Sequence, residues 1–422
     1  MDNIKIFISN FLGRSGNHVI LATVLSRIFS FIASWIALQL IPNKEFGIVL
    51  FSYNIILFIL PLSGLGLYQS LIRYAPFLTV KKEKNKLFNY VLIKGIRVNS
   101  IIITCIIIIA ILIPFENTHT KYYLIILSLT LFPEYIVQIL KIQFRVMHEN
   151  KKFSQLEVFY NIILILFISV FSFYLKEKGY VIALLLTPVF TSLFYLNKLT
   201  FRKCNKPSIV DLKFWKYGFF AGLTSVVSQL LVSIDILLIG IILVDSNKIT
   251  DYRYISIIPM SMLFLSNSFM STDFVTLTER IYNKKYIFNY IKNYSFIFSI
   301  ISIILLLISY FFGGEILSFF DQNYIVYSDS FFVLTLGISS VLILRGLFGN
   351  LLSSIGKVNS NLFIVIIAVI LNILGNYKLI PEFGIYGAAI TSSFIMWFSS
   401  IASLLVFLYH YNKLLKNKTP RA

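Results

Sequence analysis

The sequence predicts an all-α polytopic membrane protein, with about twelve transmembrane helices in two six-helix bundles around a central cavity. Three observations carry that prediction. Hydrophobic residues make up 58% of the 422-residue chain, charged residues only 13%, and the mean hydropathy is +0.83; that composition belongs to a protein whose solvent is largely lipid. The apolar residues fall in runs of roughly 20, the length needed to cross about 30 Å of hydrocarbon. Lysine and arginine gather in alternate connections between those runs, as they do when one face of a membrane retains them.

The first six runs cover about 18–41, 47–67, 88–113, 121–140, 154–175 and 179–197, and the second six about 214–243, 254–278, 293–313, 325–350, 359–380 and 384–409. The break between the sets gives the expected organisation: an N-terminal bundle over 1–200, a basic cytoplasmic linker over 201–213, and a C-terminal bundle over 214–422. Two connections share their punctuation, Leu40-Ile41-Pro42-Asn43-Lys44-Glu45-Phe46-Gly47 and Leu379-Ile380-Pro381-Glu382-Phe383-Gly384. In each, a proline without a backbone donor, a polar insert and a glycine read as a tight hairpin. One joins spans one and two and the other spans eleven and twelve, so they do not mark equivalent points of a repeat. Lys5 and Arg14 precede a full-length first span with no small-residue cleavage site behind it, which predicts no removed signal peptide. Cys105 and Cys204 show no paired spacing, and neither a disulfide framework nor a metal site is expected.

Charge sets the expected orientation. Lys81, Lys82, Lys84 and Lys86 lie in the second connection, Lys141, Arg145, Lys151 and Lys152 around the fourth, and Lys198, Arg202, Lys203 and Lys206 in the sixth. Arg280, Lys284 and Lys285, then Lys413, Lys416 and Lys418, continue the series, which places both termini in the cytoplasm. The net charge of +19 is therefore a topology signal, and no nucleic-acid partner is expected. Connections on both faces are short. They leave no room for an extramembrane catalytic domain, and no Gly-rich loop ends in Lys-Ser or Lys-Thr as ATP hydrolysis would require. The chemistry must lie between helices.

Charges inside spans cost about 2.5–3.5 kcal/mol each at mid-bilayer on insertion scales, so they should face protein or water. The cations are Arg27 in the first span, Arg73 at the end of the second, Lys94 and Arg97 entering the third, and Arg345 late in the tenth; the acids are Glu134, Glu157, Asp235 and Asp273. Snorkelling to headgroups accounts for cations near helix ends, while Arg27 is deep enough to line a cavity. Asp235 reads as an ion-coupling or ion-paired residue, and Asp273 and Glu134 as either of those or as packing partners. Asn361, Asn372 and Asn376 read as interhelical hydrogen-bonding groups.

The stretch with Arg27, Leu40-Ile41-Pro42, Glu45-Phe46-Gly47, Gly64-Leu65-Gly66 and Arg73 resembles the opening of polysaccharide-export flippases. These belong to the multidrug/oligosaccharidyl-lipid/polysaccharide exporter superfamily. Gly356-Lys357, Asn361-Leu362, Leu371-Asn372, Leu379-Ile380-Pro381, Phe383-Gly384 and Gly387-Ala388-Ala389 resemble their eleventh and twelfth spans, and Asp235 with its apolar run their seventh. The resemblance implies a multi-pass protein of the bacterial inner membrane that is a transporter and carries no catalytic residues. It implies movement of an undecaprenyl-diphosphate-linked oligosaccharide, the repeat unit of O-antigen (lipopolysaccharide) or capsule, from the cytoplasmic to the periplasmic leaflet by alternating access. Arg27, Arg73 and Arg345 are then the candidates for the diphosphate and sugar cavity. Asp235, Asp273 and Glu134 are the candidates for coupling to a proton or sodium gradient. No cofactor is implied; the other partners are membrane lipid and the polysaccharide polymerase and chain-length machinery. Two alternatives stand beside this reading: a multidrug or cation exporter of the same superfamily, which calls for an acidic, aromatic-lined cavity, and a membrane enzyme of envelope polysaccharide assembly such as a polymerase, which calls for a long periplasmic loop.

Overall fold

The computed structural model describes residues 2–113, 118–195, 206–243, 246–319 and 322–416; Cys204 and the first part of the predicted linker lie outside them. Among the described residues every regular element is helical, and ten helical segments are long and apolar enough to cross a membrane. Two are too long for one crossing. Helix α8 (Asn150–Phe194) has 45 residues and α15 (Val358–Lys416) has 59; at 1.5 Å per residue each exceeds roughly twice the hydrocarbon thickness.

Both fold back on themselves, and in the same way. Lys176 interrupts α8 with φ 54°, ψ −129°, and Gly384 interrupts α15 with φ 56°, ψ −132°. Three residues after each kink stands a glycine that touches the backbone eight residues earlier. A Cβ on Gly179 would lie 1.9 Å from the Phe171 carbonyl oxygen, and one on Gly387 2.2 Å from that of Leu379. These contacts fix hairpins between spans five and six and between eleven and twelve. The two reversals raise the ten segments to twelve crossings, as the apolar runs predict. They also show where an internal likeness lies. The structural twin of the Leu379-Ile380-Pro381 hairpin is the turn at Lys176, with which it shares only the glycine. At the other Leu-Ile-Pro site, Pro42 precedes α3 (Asn43–Ile59) in an extended conformation with φ −59°, ψ 140°.

The chain divides into two compact units, one of Phe11–Val226 and one of Met1–Asn10 with Val227–Ala422, the division falling within α9 (Leu212–Leu243). In the first unit α2 (Gly16–Leu40), α3, α5 (Lys81–Leu112), α6 (Thr118–Ser128) and α8 bury Ala33, Ala37, Val49, Ile56, Leu127 and Ile168 together. Span two is broken by a 3₁₀ segment, Leu60–Gly66, before α4 (Leu67–Tyr74). Gly64, Leu65 and Gly66 are all left-handed. The break is capped from α5: Asn99 Oδ1 accepts from the Gly64 amide at 2.6 Å and the Ser63 hydroxyl at 3.0 Å, and its Nδ2 donates to the Leu131 carbonyl at 3.2 Å. Capping of this kind is what permits a helix to break at membrane depth. Gly218 and Gly222 of α9 meet the same segment backbone to backbone, since a Cβ on Gly218 would lie 2.7 Å from the Gly66 oxygen. That is the close approach a G-x-x-x-G spacing allows.

In the second unit, Ile239, Tyr252, Leu317, Leu334, Ile380 and Ala388 form the core between α9, α10 (Ser246–Ser261), α12 (Lys284–Ser318), α13 (Ser328–Ser340) and α15. Helix α11 (Leu263–Glu279) completes span eight. An i, i+4 ladder of rings runs up α12, with Tyr294 stacked on Phe298 at 4.3 Å. Span ten widens into a π-turn at Val341–Arg345 before α14 (Gly346–Ser354). Tyr294 donates to the Leu342 carbonyl within that turn at 3.1 Å.

Candidate functional site

A polar cluster surrounds Asp235 on α9, which is 1% exposed. Its Oδ1 accepts from Asn372 Nδ2 at 3.0 Å and Asn376 Nδ2 at 2.8 Å. Its Oδ2 accepts from the Tyr252 hydroxyl at 3.0 Å and from the Ser392 hydroxyl. Asn372 and Asn376 lie one turn apart on the first leg of α15, and Ser392 lies on the second. The Gly384 hairpin is therefore what brings three of the four donors to one carboxylate. Asn376 Nδ2 also donates to Asn372 Oδ1 at 2.9 Å, while Asn376 Oδ1 is buried without a hydrogen-bond partner. No lysine or arginine pairs with Asp235 among the described residues. The sequence marks Asp235, Asn372 and Asn376 separately; it gives no sign that they meet, and it leaves Tyr252 and Ser392 unmarked. The signal available for Ser392 is the polar run Thr391-Ser392-Ser393 inside an apolar span.

Arg345 closes the π-turn and donates to the Ser403 hydroxyl. Gly349, one turn on, leaves room for it: a Cβ there would lie 3.8 Å from the guanidinium carbon. Asn361 Nδ2 donates to the Gly349 carbonyl at 3.2 Å, and its Oδ1 is buried with no partner. Among the described residues no carboxylate pairs with Arg345. It lies nine residues before the end of α14, with its head group on Ser403 of another span.

The remaining predicted residues stand apart from these two clusters. Arg27 is exposed at the middle of α2, about 17 Å along the helix axis from its first residue, and makes no hydrogen bond or ion pair among the described residues. Arg73, at the end of α4, is buried with its guanidinium 4.5 Å over the Phe77 ring and 5.3 Å from that of Tyr74. Glu134 on α7 (Leu131–Val146) accepts from the Tyr160 hydroxyl. Nearby, Lys141 and Glu157 pair at 3.0 Å, and the ammonium lies 5.5 Å from the Tyr160 ring. Asp273 on α11 is fully buried and accepts from the Tyr290 hydroxyl at 2.9 Å. No group of three or more His, Cys, Asp or Glu side chains is placed to hold a metal ion among the described residues.

Among the described residues, helices for twelve crossings, a broken second span, paired hairpins and buried polar clusters define a polytopic membrane protein. The fold matches a mutant of the Vibrio cholerae MATE transporter VcmN with a TM-score of 0.81, covering 99% of each chain at 11% identity. It matches a MOP-superfamily transporter from Pyrococcus furiosus with a TM-score of 0.74, 95% coverage of each chain and 14% identity. Residues 36–248 match the family described as polysaccharide biosynthesis protein, and the chain belongs to that family. An uncharacterized membrane protein of Methanocaldococcus jannaschii is 29% identical over 171 residues, which are 39% of this chain; the chain thus spans about a third of that relative's length, 34%. The all-α, polytopic fold expected from sequence is the fold observed.

Proposed function

We propose that this protein flips an undecaprenyl-diphosphate-linked oligosaccharide from the cytoplasmic to the periplasmic leaflet of a bacterial inner membrane by alternating access, supplying O-antigen or another surface polysaccharide. The observation that carries the reading is the state of the intramembrane arginines. Arg345 has no carboxylate partner and Arg27 has no partner at all among the described residues, although both lie in membrane-spanning helices. Cations that lack counter-ions in a span mark a place for an anion. A guanidinium suits a diphosphate, which offers paired oxygens to its fork of donors. Arg73, its guanidinium 4.5 Å over the Phe77 ring, is the third cation proposed for the diphosphate, on its charge alone. The polyprenyl tail stays in hydrocarbon, so only the diphosphate and the hydroxyl-rich sugar need a hydrated route.

Coupling to a proton or sodium gradient is assigned to Asp235. A proton on this carboxylate, or a sodium ion beside it, supplies what the orphaned Asn376 Oδ1 lacks. The amides and hydroxyls around it can turn to present oxygen. Glu134 with Tyr160 and Asp273 with Tyr290 are the secondary candidates, each a carboxylate held by a phenol. The products then pass to polymerase and chain-length machinery.

The test is deletion followed by complementation. Deletion is expected to remove surface polysaccharide and to trap lipid-linked repeat units inside. Arg345→Ala and Arg27→Ala should reach the membrane at wild-type levels yet restore less than about a tenth of the display, the loss of one charge-assisted contact. Full polysaccharide display after deletion, with drug susceptibility raised instead, would sink the reading in favour of a drug exporter.

A further inference from the structure

We propose that a cavity at the hairpin end of the second unit binds the saccharide part of the transported molecule, separately from the arginines that take its diphosphate; the proposal rests on the export reading above. The cavity has a volume of about 530 Å³, within the range of small-molecule sites. It is walled by the start of α10, the turn before α13 and the hairpin of α15. It lies where odd-numbered connections gather, the end the lysine pattern assigns to the outside.

The floor is a fixed network. Lys248 Nζ donates to the Tyr327 hydroxyl at 2.9 Å, and that hydroxyl donates to Asp251 Oδ2 at 2.8 Å, with Lys248 and Asp251 3.9 Å apart. The walls hold groups not yet used. Asp329 is exposed and, like the Tyr386 hydroxyl, makes no hydrogen bond among the described residues. Tyr327, Phe383 and Tyr386 add aromatic faces. The Gly384 turn, with its positive φ of 56°, lies between those last two rings in the cavity wall.

Charge then selects the ligand. The lysine is balanced by Asp251, and Asp329 adds a negative charge, so the lining repels a phosphate. An acceptor, a hydroxyl and ring faces suit a neutral or amino-bearing sugar, whose hydroxyls donate to Asp329 and whose C–H faces lie on the rings. Asp329 and Arg345 share span ten, sixteen residues apart, about 24 Å along the axis. The two parts of one lipid-linked glycan are thus recognised about 24 Å apart along the same span.

The experiment uses the full-length protein in nanodiscs. The probe is the oligosaccharide freed by mild acid from the lipid-linked pool of the deletion strain, which lacks diphosphate and lipid, and binding is followed by saturation-transfer NMR. Wild type is expected to bind it, while Asp329→Asn weakens binding roughly tenfold, the worth of one hydrogen bond to a charged group, and Tyr386→Ala, which removes a hydroxyl and a ring face, weakens it to a similar degree. Both side chains sit at an exposed surface, so neither change threatens the fold. Binding that survives both substitutions, or fails in wild type, overturns the cavity assignment while the deletion phenotype still supports export. A deletion strain that accumulates no lipid-linked pool overturns the export reading and this proposal with it.

Discussion

Lys176 occupies a backbone conformation that side chains resist, and replacing it with glycine should stabilise the protein. At φ 54°, ψ −129°, it matches the geometry that the second half of the chain assigns to Gly384 at φ 56°, ψ −132°. A non-glycine residue in such a region costs about 1–3 kcal/mol. Glycine releases that strain but gives the unfolded chain more freedom, worth about 0.4–1 kcal/mol. The net gain expected for Lys176→Gly is about 0.5–2 kcal/mol. Nothing is lost with the side chain, because Lys176 is exposed and makes no hydrogen bond or ion pair among the described residues. Lys176→Ala keeps the Cβ and should leave stability near wild type. For a cooperative unit the size of Phe11–Val226, roughly 2–4 °C accompanies each kcal/mol, so the apparent melting midpoint in detergent should rise by a few degrees for glycine alone. Equal midpoints for the glycine and alanine variants would refute the argument that strain, rather than the lysine side chain, sets the cost.

The other expectations follow from the same contacts. Gly384→Ala meets no atom within 4 Å but must hold φ 56°, so it should lose about 1–3 kcal/mol, whereas Gly387→Ala pushes a Cβ to 2.2 Å from the Leu379 oxygen and should reduce the yield of monodisperse protein sharply. Asn99→Ala removes the cap on the broken second span, leaving the Gly64 amide and Leu131 carbonyl buried; a loss of about 2–4 kcal/mol is expected in thermal unfolding. Asp235→Asn replaces an acceptor of four hydrogen bonds with a group that itself donates, and should cost about 2 kcal/mol or more. If sodium is the coupling ion, added sodium should raise the melting midpoint of wild type and not of this variant, as ligand linkage requires.

Several of the polar residues inside spans, the candidates for a site, were legible one at a time. Charges and amides in apolar runs stand out because each is costly there, which is why Arg27, Arg345, Asp235, Asn372 and Asn376 are found without a structure. Their grouping was not legible. Asp235 meets Asn372 across 137 residues and Ser392 across 157, and no local pattern encodes a pairing over such separations. Serine and tyrosine are ordinary in membrane helices, so Ser392 and Tyr252 carried no signal of their own. The repeated Leu-Ile-Pro pattern does not mark the likeness between halves, as its non-equivalent places already imply; the shared hairpin lies in backbone angles that a lysine adopts in one half and a glycine in the other.

By itself the sequence determined the solvent, the all-helical class and the positions of the spans. Each of these follows from sums over some twenty neighbouring residues, and lipid tolerates few alternatives to a helix with its backbone bonds closed. Only the tertiary structure decided which polar groups meet, that Arg345 donates to Ser403, and that the same reversal closes spans five and six as closes eleven and twelve. Those outcomes depend on where a hairpin brings its second leg, and that is set by one residue's φ and ψ and one glycine's backbone contact.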